Sequence, residues 1–99
     1  MKLKILPRAQ AQARSKRVWW VENRPDAPTL FDEEFGRVLE LLRETPGAGA
    51  SWPTARNPAI RRVLMTRTRS HVYFYLEERS GVVMVLAVWG AARGRGPRL

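Results

Sequence analysis

The sequence predicts an α+β fold, in which a small antiparallel sheet carries an N-terminal helical hairpin. Apolar residues recur at helical spacing between Phe31 and Leu42, which predicts an amphipathic helix. The stretch His71–Glu78 alternates polar and apolar residues, as a half-buried strand does. The stretch Val82–Trp89 is continuously apolar, which is typical of a central strand covered on both faces. The element order β-α-α-β-β-β follows, within a single domain of residues 1–99.

A short strand and a helix begin the chain. Lys2–Leu6, with the sequence KLKIL, alternates polar and apolar residues and suits a strand at the start of the sheet. Pro7 suits the first turn of a helix, where its missing N–H group costs nothing. The segment Asn23–Pro25 ends this helix, because the residue before a proline avoids helical conformations. Trp19 and Trp20 point about 100° apart on the helix, so we expect one in the core and the other as an exposed contact for a partner.

The second helix is the most clearly patterned element. Thr29 can cap its first turn through the side-chain hydroxyl, and Asp32–Glu34 follow where the positive end of the helix dipole favours acidic residues. The segment Thr45–Gly49, with the sequence TPGAG, ends the helix. A short link joins it to the first helix, so the two form a helical hairpin. Its apolar stripe consists of Phe31, Phe35, Val38 and Leu42.

A loop and three strands complete the predicted fold. Ser51–Pro58 contains two prolines and is predicted as a loop from which Trp52 reaches the core. Arg61–Thr66 is predicted as a strand, and it precedes the two strands already described. Ser80–Gly81 forms the tight turn between those two strands. The glycine- and arginine-rich residues 91–99 are predicted as an irregular basic tail.

The alternation in the third strand leaves the role of its aromatic residues open. Val72, Phe74 and Leu76 share one face, whereas Tyr73 and Tyr75 share the other. The tyrosines can lie on an open face beside arginines, where phosphates and unpaired bases could bind. Alternatively, they pack under the helical hairpin and the arginines only fringe the sheet. Alternation alone does not show which face the helices cover.

Basic charge is concentrated in the second half of the chain. The net charge is +9, and residues 51–99 contain nine arginines against two glutamates, compared with nine basic and seven acidic residues in 1–50. Arginine suits forked contacts with phosphates and carboxylates, so this half can attract nucleic acid or an acidic protein segment. The alternative is a solvated arginine-rich surface without a partner. The candidate binding residues are Arg61, Arg62, Arg67, Arg69, Arg93 and Arg95.

The composition disfavours several kinds of site. The absence of cysteine excludes disulfides and thiolate metal sites, and it fits a reducing cytoplasm. One histidine and a set of helix-surface carboxylates do not predict a metal site, and no phosphate-loop or dinucleotide glycine motif predicts a cofactor. No apolar run approaches the roughly 20 residues of a membrane span, and the apolar piece before Pro7 is too short for a signal peptide. We therefore expect a cytoplasmic protein without a metal or cofactor.

His71 is the one residue of this sequence that could titrate near neutral pH. In that role it could act as a general acid or base. A lone histidine at the entrance of a strand is more often a hydrogen-bonded structural residue. No serine lies in the elbow motif that a hydrolase triad requires, so a Ser-His-Asp site is not predicted.

The order of elements and the segment Ile60–Pro97 resemble the RelE/ParE superfamily of type II toxin–antitoxin toxins. This segment reads IRRVLMTRTRSHVYFYLEERSGVVMVLAVWGAARGRGP. In that family an arginine opens the first hairpin strand, an aromatic strand follows, and a valine-rich strand ends before a basic tail. The helix pair, which ends in LLRETPGAG, is similar to the two helices of the family and the segment after them. The resemblance covers nearly the whole chain and implies a RelE/ParE-like fold.

The resemblance also implies a function and partners. Members of this superfamily are small cytoplasmic growth inhibitors that a cognate antitoxin protein neutralises. RelE-like members cleave mRNA on the ribosome, whereas ParE-like members bind DNA gyrase and have no known hydrolytic activity. The arginine-rich second half is where we expect the target or the antitoxin to bind. A nucleic-acid-binding module without toxicity is the remaining alternative.

The residues favour the ParE-like class. Arg61 or Arg62 matches the arginine that RelE-like nucleases use near the scissile phosphate, and the resemblance does not distinguish the two. RelE-like enzymes commonly add a tyrosine or histidine near the C-terminus, but this chain has neither after Tyr75. Arginine stays protonated and is therefore a poor base. A nuclease would have to rely on Arg61, Arg62, His71, Tyr73 and Tyr75.

Overall fold

The computed structural model describes residues 1–99, except the side chain of Arg93. This described part forms two helices and five strands, followed by a short 3-10 turn, and it confirms the predicted α+β class. In chain order the elements are β1 (Lys2–Ile5), α1 (Pro7–Asn23), α2 (Leu30–Glu44), β2 (Ala50–Ser51), β3 (Arg61–Met65), β4 (Ser70–Glu77), β5 (Val82–Gly90) and the 3-10 turn Ala91–Arg93.

The strands form one sheet in the order β1-β5-β4-β3-β2. The three hairpin strands β3, β4 and β5 pair antiparallel, as predicted, and β2 pairs antiparallel to β3. β1 is expected in the same antiparallel sheet, but it pairs parallel to β5. In this parallel pair Lys2 lies opposite Val82 and Ile5 lies opposite Val85. Parallel neighbours require a long connection that crosses the sheet, and α1 and α2 lie within that connection. The sheet is therefore mixed at one edge and antiparallel elsewhere.

The sequence does not predict β2. Ala50–Ser51 pairs with Arg61 and Arg62 of β3, so this strand ends at the first residue of the segment Ser51–Pro58 that is predicted as a loop. Two residues carry no periodicity that a sequence pattern could reveal. Gly49 precedes the strand with φ +76°, a left-handed conformation that turns the chain onto the sheet edge.

The main core lies between the helices and one face of the sheet. It contains Val72 and Phe74 of β4, with Leu76 packed against it, as the alternation predicts. The stripe of α2 also faces this core, with Phe31 and Leu42 at most 1% exposed. The remaining buried members of this core are Ala9, Ala13, Phe35, Val38, Met65, Val83, Val85 and Val88.

α1 contacts β5 through small residues. Ala9 is fully buried and Ala13 is 4% exposed, which allows the helix backbone to approach the sheet closely. Trp20 packs at the margin of this core, while Trp19 is 47% exposed. The expectation of one core tryptophan and one exposed tryptophan is therefore met by Trp20 and Trp19 respectively.

A β-bulge changes the alternation of β5. Tyr73 lies opposite Ala87, but the next residue, Phe74, lies opposite Val85, so one residue of β5 is extra. Just after the bulge, the backbone amide of Val88 donates a hydrogen bond to Oε1 of Gln12 on α1, at 2.8 Å. Because of the bulge, Ala87 turns away from the helices while Val85 and Val88 face them. A continuously apolar strand contains no pattern that marks such a position.

A second, smaller cluster covers the open face of the sheet, opposite the helices. Its centre is Ile60, Tyr73 and Ala87, each at most 1% exposed. The C-terminal tail packs on it, since Leu99 contacts this cluster and the carbonyl of Arg98 accepts a 2.6 Å hydrogen bond from Arg8. The predicted basic tail is therefore a packed element. Trp52, Leu86 and Trp89 complete the cluster.

Two glycines differ in whether their backbone and surroundings allow a side chain, and substituting each by alanine tests this difference through protein stability. Gly36 lies exposed in α2, and a Cβ added there would meet no atom within 4 Å, so Gly36→Ala is expected to stabilise the protein by about 0.5–1 kcal/mol. Gly49 has φ +76°, and a Cβ there would overlap the carbonyl oxygen of Arg62. Gly49→Ala is therefore expected to cost about 2 kcal/mol or more. Urea unfolding measures both, and equal stability of the two variants would contradict this account.

Within the described part of the chain, no helix is long and apolar enough to cross a membrane.

Candidate functional site

A groove of about 350 Å³ opens on the sheet face away from the helices. The sheet contributes Arg62 from β3, His71 and Tyr73 from β4, and Trp89 from β5. The tail forms the opposite wall. Trp52, Ala91, Gly94, Arg95 and Gly96 complete the lining. We call this feature the open-face groove.

Strand register brings these side chains together. Arg62 lies opposite Tyr73, and His71 lies opposite Trp89. Directly opposed residues of antiparallel strands point to the same face. The three strands therefore present one arginine, one histidine and two aromatic residues side by side. The tyrosines lie on the open face, which answers the question that the alternation leaves open.

Tyr73 holds the guanidinium of Arg62 in place. Nη1 of Arg62 donates a 3.2 Å hydrogen bond to the Tyr73 hydroxyl, and the guanidinium carbon lies 6.0 Å from the ring centroid. The Tyr73 side chain is 1% exposed, with the Trp52 ring packed edge-on at 4.7 Å between centroids. Arg17–Asp32 and Arg43–Glu40 form exposed ion pairs, and none of these four residues lines the groove. The groove therefore presents an oriented cation suited to a phosphate or a carboxylate.

His71 lies in the same groove, with its ring centroid 5.9 Å from that of Tyr73. Burial lowers the pKa of His71, and the positive charge of Arg62 lowers it further. The imidazole is therefore neutral at neutral pH. A neutral imidazole can accept a proton or a hydrogen bond, so His71 keeps the general-base capacity that its residue type suggests.

The shift of the His71 pKa provides a second test. We expect the imidazole to titrate below 6.5, and Arg62→Gln to raise its pKa only part of the way back, because burial remains. A lowered pKa means that the contribution of His71 to stability is complete above pH 6.5 and is lost as the pH falls through the folded value. NMR titration of the imidazole measures the pKa of His71 in the unsubstituted protein and in each variant. The control Arg56→Gln removes an exposed arginine elsewhere, and an identical shift in both variants would contradict the assignment to Arg62.

Arg61 and Arg62, which the sequence leaves as equal candidates, have different environments. Nε and Nη2 of Arg61 donate hydrogen bonds to the carbonyls of Ala48 and Gly49, at 3.0 and 2.9 Å. Arg61 lies opposite Phe74 and thus belongs to the other parity of β3. Its guanidinium is used to hold the segment between α2 and β2. Arg62 is the member of the pair that reaches the open-face groove.

The other predicted candidates are dispersed. Tyr75 is partly buried on β4 and does not line the groove. Arg95 lines it, and its carbonyl accepts a 2.8 Å hydrogen bond from Nε1 of Trp89. Arg67 and Arg69 lie in the turn between β3 and β4, beside a different cleft. The side chain of Arg93 lies outside the described residues.

Sequence reasoning missed the part played by Glu34. Its carboxylate is 8% exposed and accepts hydrogen bonds from the amides of Arg67 and Thr68 and from the Thr68 hydroxyl, at 3.0, 2.9 and 2.6 Å. Burial alone would raise the pKa of Glu34, but these hydrogen bonds and the charge of Arg37 lower it below its usual value. Position 34 falls on the apolar stripe of α2, and a carboxylate there was a signal of a buried polar contact.

Trp52 and Trp89 also line the open-face groove, and sequence reasoning did not propose them as site residues. Trp52 comes from the loop before β3 and covers Tyr73, while Gly96 packs so closely on its ring that a Cβ would overlap it. Trp89 presents its indole to the tail. Among the described residues, no group of three or more acidic, histidine or cysteine side chains is placed to hold a metal ion.

Comparison with solved structures gives a likeness in fold. No protein-family model matches the sequence, and no curated protein matches it significantly. A solved chain from the "Chromosomal ParDE TA system from P. aeruginosa" superposes with a TM-score of 0.73 over 91% of this chain and 95% of that chain, at 18% sequence identity. The two chains share a fold. The RelE/ParE-like fold expected from the segment Ile60–Pro97 is thus confirmed.

The ParDE-like fold explains the positions of the open-face groove and the helices. In this fold the helical hairpin covers one sheet face and leaves the other to the loop before β3 and the tail. The groove forms where those two segments meet the central strands. Its chemistry depends on this chain's own side chains, because most positions differ between the two proteins.

Proposed function

We propose that this chain is the toxin of a type II toxin–antitoxin pair, that it inhibits growth by binding DNA gyrase, and that a cognate antitoxin neutralises it. The observation that carries the proposal is the likeness to a chain of a ParDE system, with a TM-score of 0.73 over 91% of this chain. The net charge of +9 supports association with an acidic partner surface.

The open-face groove supports binding more than catalysis. The Tyr73 hydroxyl accepts a hydrogen bond from Arg62 and its side chain is 1% exposed, so it does not reach a substrate. A guanidinium is a hydrogen-bond donor without an acceptor site, so the side chain of Arg62 is not suited to act as a base. His71 is then the single titratable acid–base group of the groove among the described residues that line it. An arginine held by a tyrosine, with tryptophans in the same groove, is a typical composition of a protein-binding hot spot.

A second candidate function, ribosome-dependent cleavage of mRNA, is favoured by one observation. Arg62 lies beside a neutral His71 in a groove that is open to solvent. His71 could remove the proton of a ribose 2′-hydroxyl, whose oxygen then attacks the adjacent phosphorus and displaces the 5′-oxygen. Arg62 would stabilise the charge that develops on the phosphate. This reaction still requires a proton donor for the leaving 5′-oxygen.

Three assays test the proposal. Inducible expression is expected to arrest growth, and purified protein is expected to inhibit supercoiling by gyrase while leaving mRNA uncut in a translating ribosome assay. Codon-positioned mRNA cuts with normal supercoiling would replace the gyrase proposal with the nuclease. Unimpaired growth together with salt-dependent binding of DNA or RNA would indicate a plain nucleic-acid-binding module instead.

A further inference from the structure

A second cleft, of about 510 Å³, lies between the C-terminal half of α1 and the turn that joins β3 and β4. The function proposed above does not use it. α1 contributes Lys16, Trp19 and Trp20, the segment after α1 contributes Arg24, and the turn contributes Arg67 and Arg69. We call it the helix–turn cleft. No acidic residue is among the described residues that line it.

The turn presents its two arginines in a fixed conformation. Glu34 holds the amides of Arg67 and Thr68, as described above. The amide of Arg69 donates to the Met65 carbonyl, and the carbonyl of Arg69 accepts from the amide of Ala91, both at 2.8 Å. Arg69 has φ +58°, a conformation that non-glycine residues seldom adopt. A turn held on both sides loses little conformational entropy when a ligand binds.

The aromatic side of the cleft combines apolar surface with charge. Trp19 and Trp20 pack edge to face at 5.6 Å, and the guanidinium of Arg24 lies 5.6 and 5.9 Å from their ring centroids. Trp19 is 47% exposed, although a large apolar ring is normally buried. On the outer side of the same helix, Val18 and Val21 are 46% and 55% exposed. This end of α1 therefore exposes apolar residues at the border of a basic cleft.

We propose that the helix–turn cleft binds an acidic segment of a partner protein that also carries an apolar side chain. Carboxylates would accept hydrogen bonds from the guanidinium groups of Arg24, Arg67 and Arg69, and the apolar side chain would cover Trp19. Exposed tryptophan and arginine side by side are the residues most enriched in protein-binding hot spots. The absence of acidic lining makes the cleft complementary to negative charge.

Nucleic acid fits this cleft less well than an acidic protein segment. A base that stacks on an indole would compete with Arg24 for the ring face that its guanidinium covers. A carboxylate, in contrast, can bind that guanidinium without displacing it from the rings. Exposed valines beside the cleft also suit a protein contact, because interfaces with nucleic acid are more polar than interfaces between proteins.

The test uses the four tryptophan indoles as position markers. Trp19 and Trp20 report on the helix–turn cleft, whereas Trp52 and Trp89 report on the open-face groove. The probe is a short acetylated peptide with leucines at helical spacing and glutamates elsewhere. A counterpart with every glutamate replaced by glutamine and a single-stranded oligothymidylate are compared with it. Indole N–H signals, assigned with single Trp→Phe variants, are followed by NMR.

The acidic peptide is expected to shift the signals of Trp19 and Trp20, and the glutamine peptide to bind at least about tenfold more weakly. The double variant Arg67→Gln, Arg69→Gln should reduce affinity about tenfold or more. The matched control Arg56→Gln, Arg79→Gln removes the same charge from exposed positions outside the cleft and should have a much smaller effect.

Three results would overturn the proposal. If the acidic peptide shifts only the indole signals of Trp52 and Trp89, the cleft is not its binding site. The same follows if both double variants reduce the affinity for the acidic peptide equally. If oligothymidylate shifts Trp19 and Trp20 and the acidic peptide does not, the cleft is a nucleic-acid surface. None of these measurements uses growth inhibition or gyrase. Failure of the toxin proposal therefore remains distinguishable from failure of this one.

Discussion

Glu34→Ala is expected to lower the free energy of unfolding by about 2–4 kcal/mol. The substitution removes a buried carboxylate and leaves two backbone amides and the hydroxyl of Thr68 without their acceptor. Those three donors join α2 to the β3–β4 turn, so the turn loses its main contact with the helix. Urea unfolding followed by circular dichroism measures the change.

Matched variants separate this contact from a general effect on α2. Glu34→Gln keeps the size of the side chain but replaces one acceptor oxygen with a donor, so we expect about half the loss. Glu40→Ala removes an exposed partner of Arg43 from the same helix and should cost less than about 0.5 kcal/mol. A Glu34→Ala variant as stable as Glu40→Ala would show that the buried carboxylate contributes nothing.

The pH dependence of stability gives an independent check. The pKa of Glu34 is lowered from its usual 4.5, so the folded state releases the proton more readily than the unfolded state. The stabilisation is therefore complete above pH 4.5 and is lost as the pH falls through the folded value. We expect the stability difference between the unsubstituted protein and Glu34→Gln to shrink as the pH falls from 4.5 through the pKa of Glu34 in the folded protein. A difference that stays constant down to the acid limit would exclude this linkage.

Arg62→Gln is expected to reduce inhibition of gyrase roughly thirtyfold, which corresponds to about 2 kcal/mol of binding free energy. The expectation rests on the toxin proposal and on the position of the guanidinium in the open-face groove, held by Tyr73. Arg61→Gln removes hydrogen bonds to Ala48 and Gly49 instead. It should lower stability by about 1–2 kcal/mol and leave the inhibition per folded molecule nearly unchanged.

Supercoiling assays with the folded variants, together with unfolding curves, measure both effects. Arg56→Gln serves as the control for the loss of one positive charge, since Arg56 is exposed in the loop before β3. Full potency of Arg62→Gln would remove the open-face groove from the contact surface. A loss of potency by Arg61→Gln without a loss of stability would assign the binding role to the other arginine.

The distinction between these two arginines shows what register contributes. Both side chains belong to one dipeptide, and both match the same family arginine in the resemblance. β3 pairs with β4 so that Arg62 meets Tyr73 and Arg61 meets Phe74. Because the side-chain period of a strand is two, neighbouring residues point to opposite faces of the sheet, and the register decides which face each arginine takes. Register is a relation between two strands, and one strand's residues do not specify it.

The bulge in β5 and the contact of Glu34 have a similar origin. The run Val82–Trp89 shows no polar residue that could mark where the strand pattern shifts, yet the shift decides that Val88 faces the helices. Glu34 and Thr68 are far apart in the chain, and their hydrogen bonds exist only once α2 lies against the hairpin. The tail likewise packs through Leu99 on a cluster that contains Trp52 and Tyr73, which are distant from it in the chain.

The sequence by itself determined the helices, the three hairpin strands and the α+β class, because burial of one side imposes a local period on each element. The apolar stripe of α2 faces the core, and so do Val72 and Phe74 on one side of β4, as that period requires. Tertiary structure alone decided which arginine enters the open-face groove, what Glu34 binds, and how the tail closes the groove. Those features arise from contacts between distant segments, and no local period records a contact of that kind.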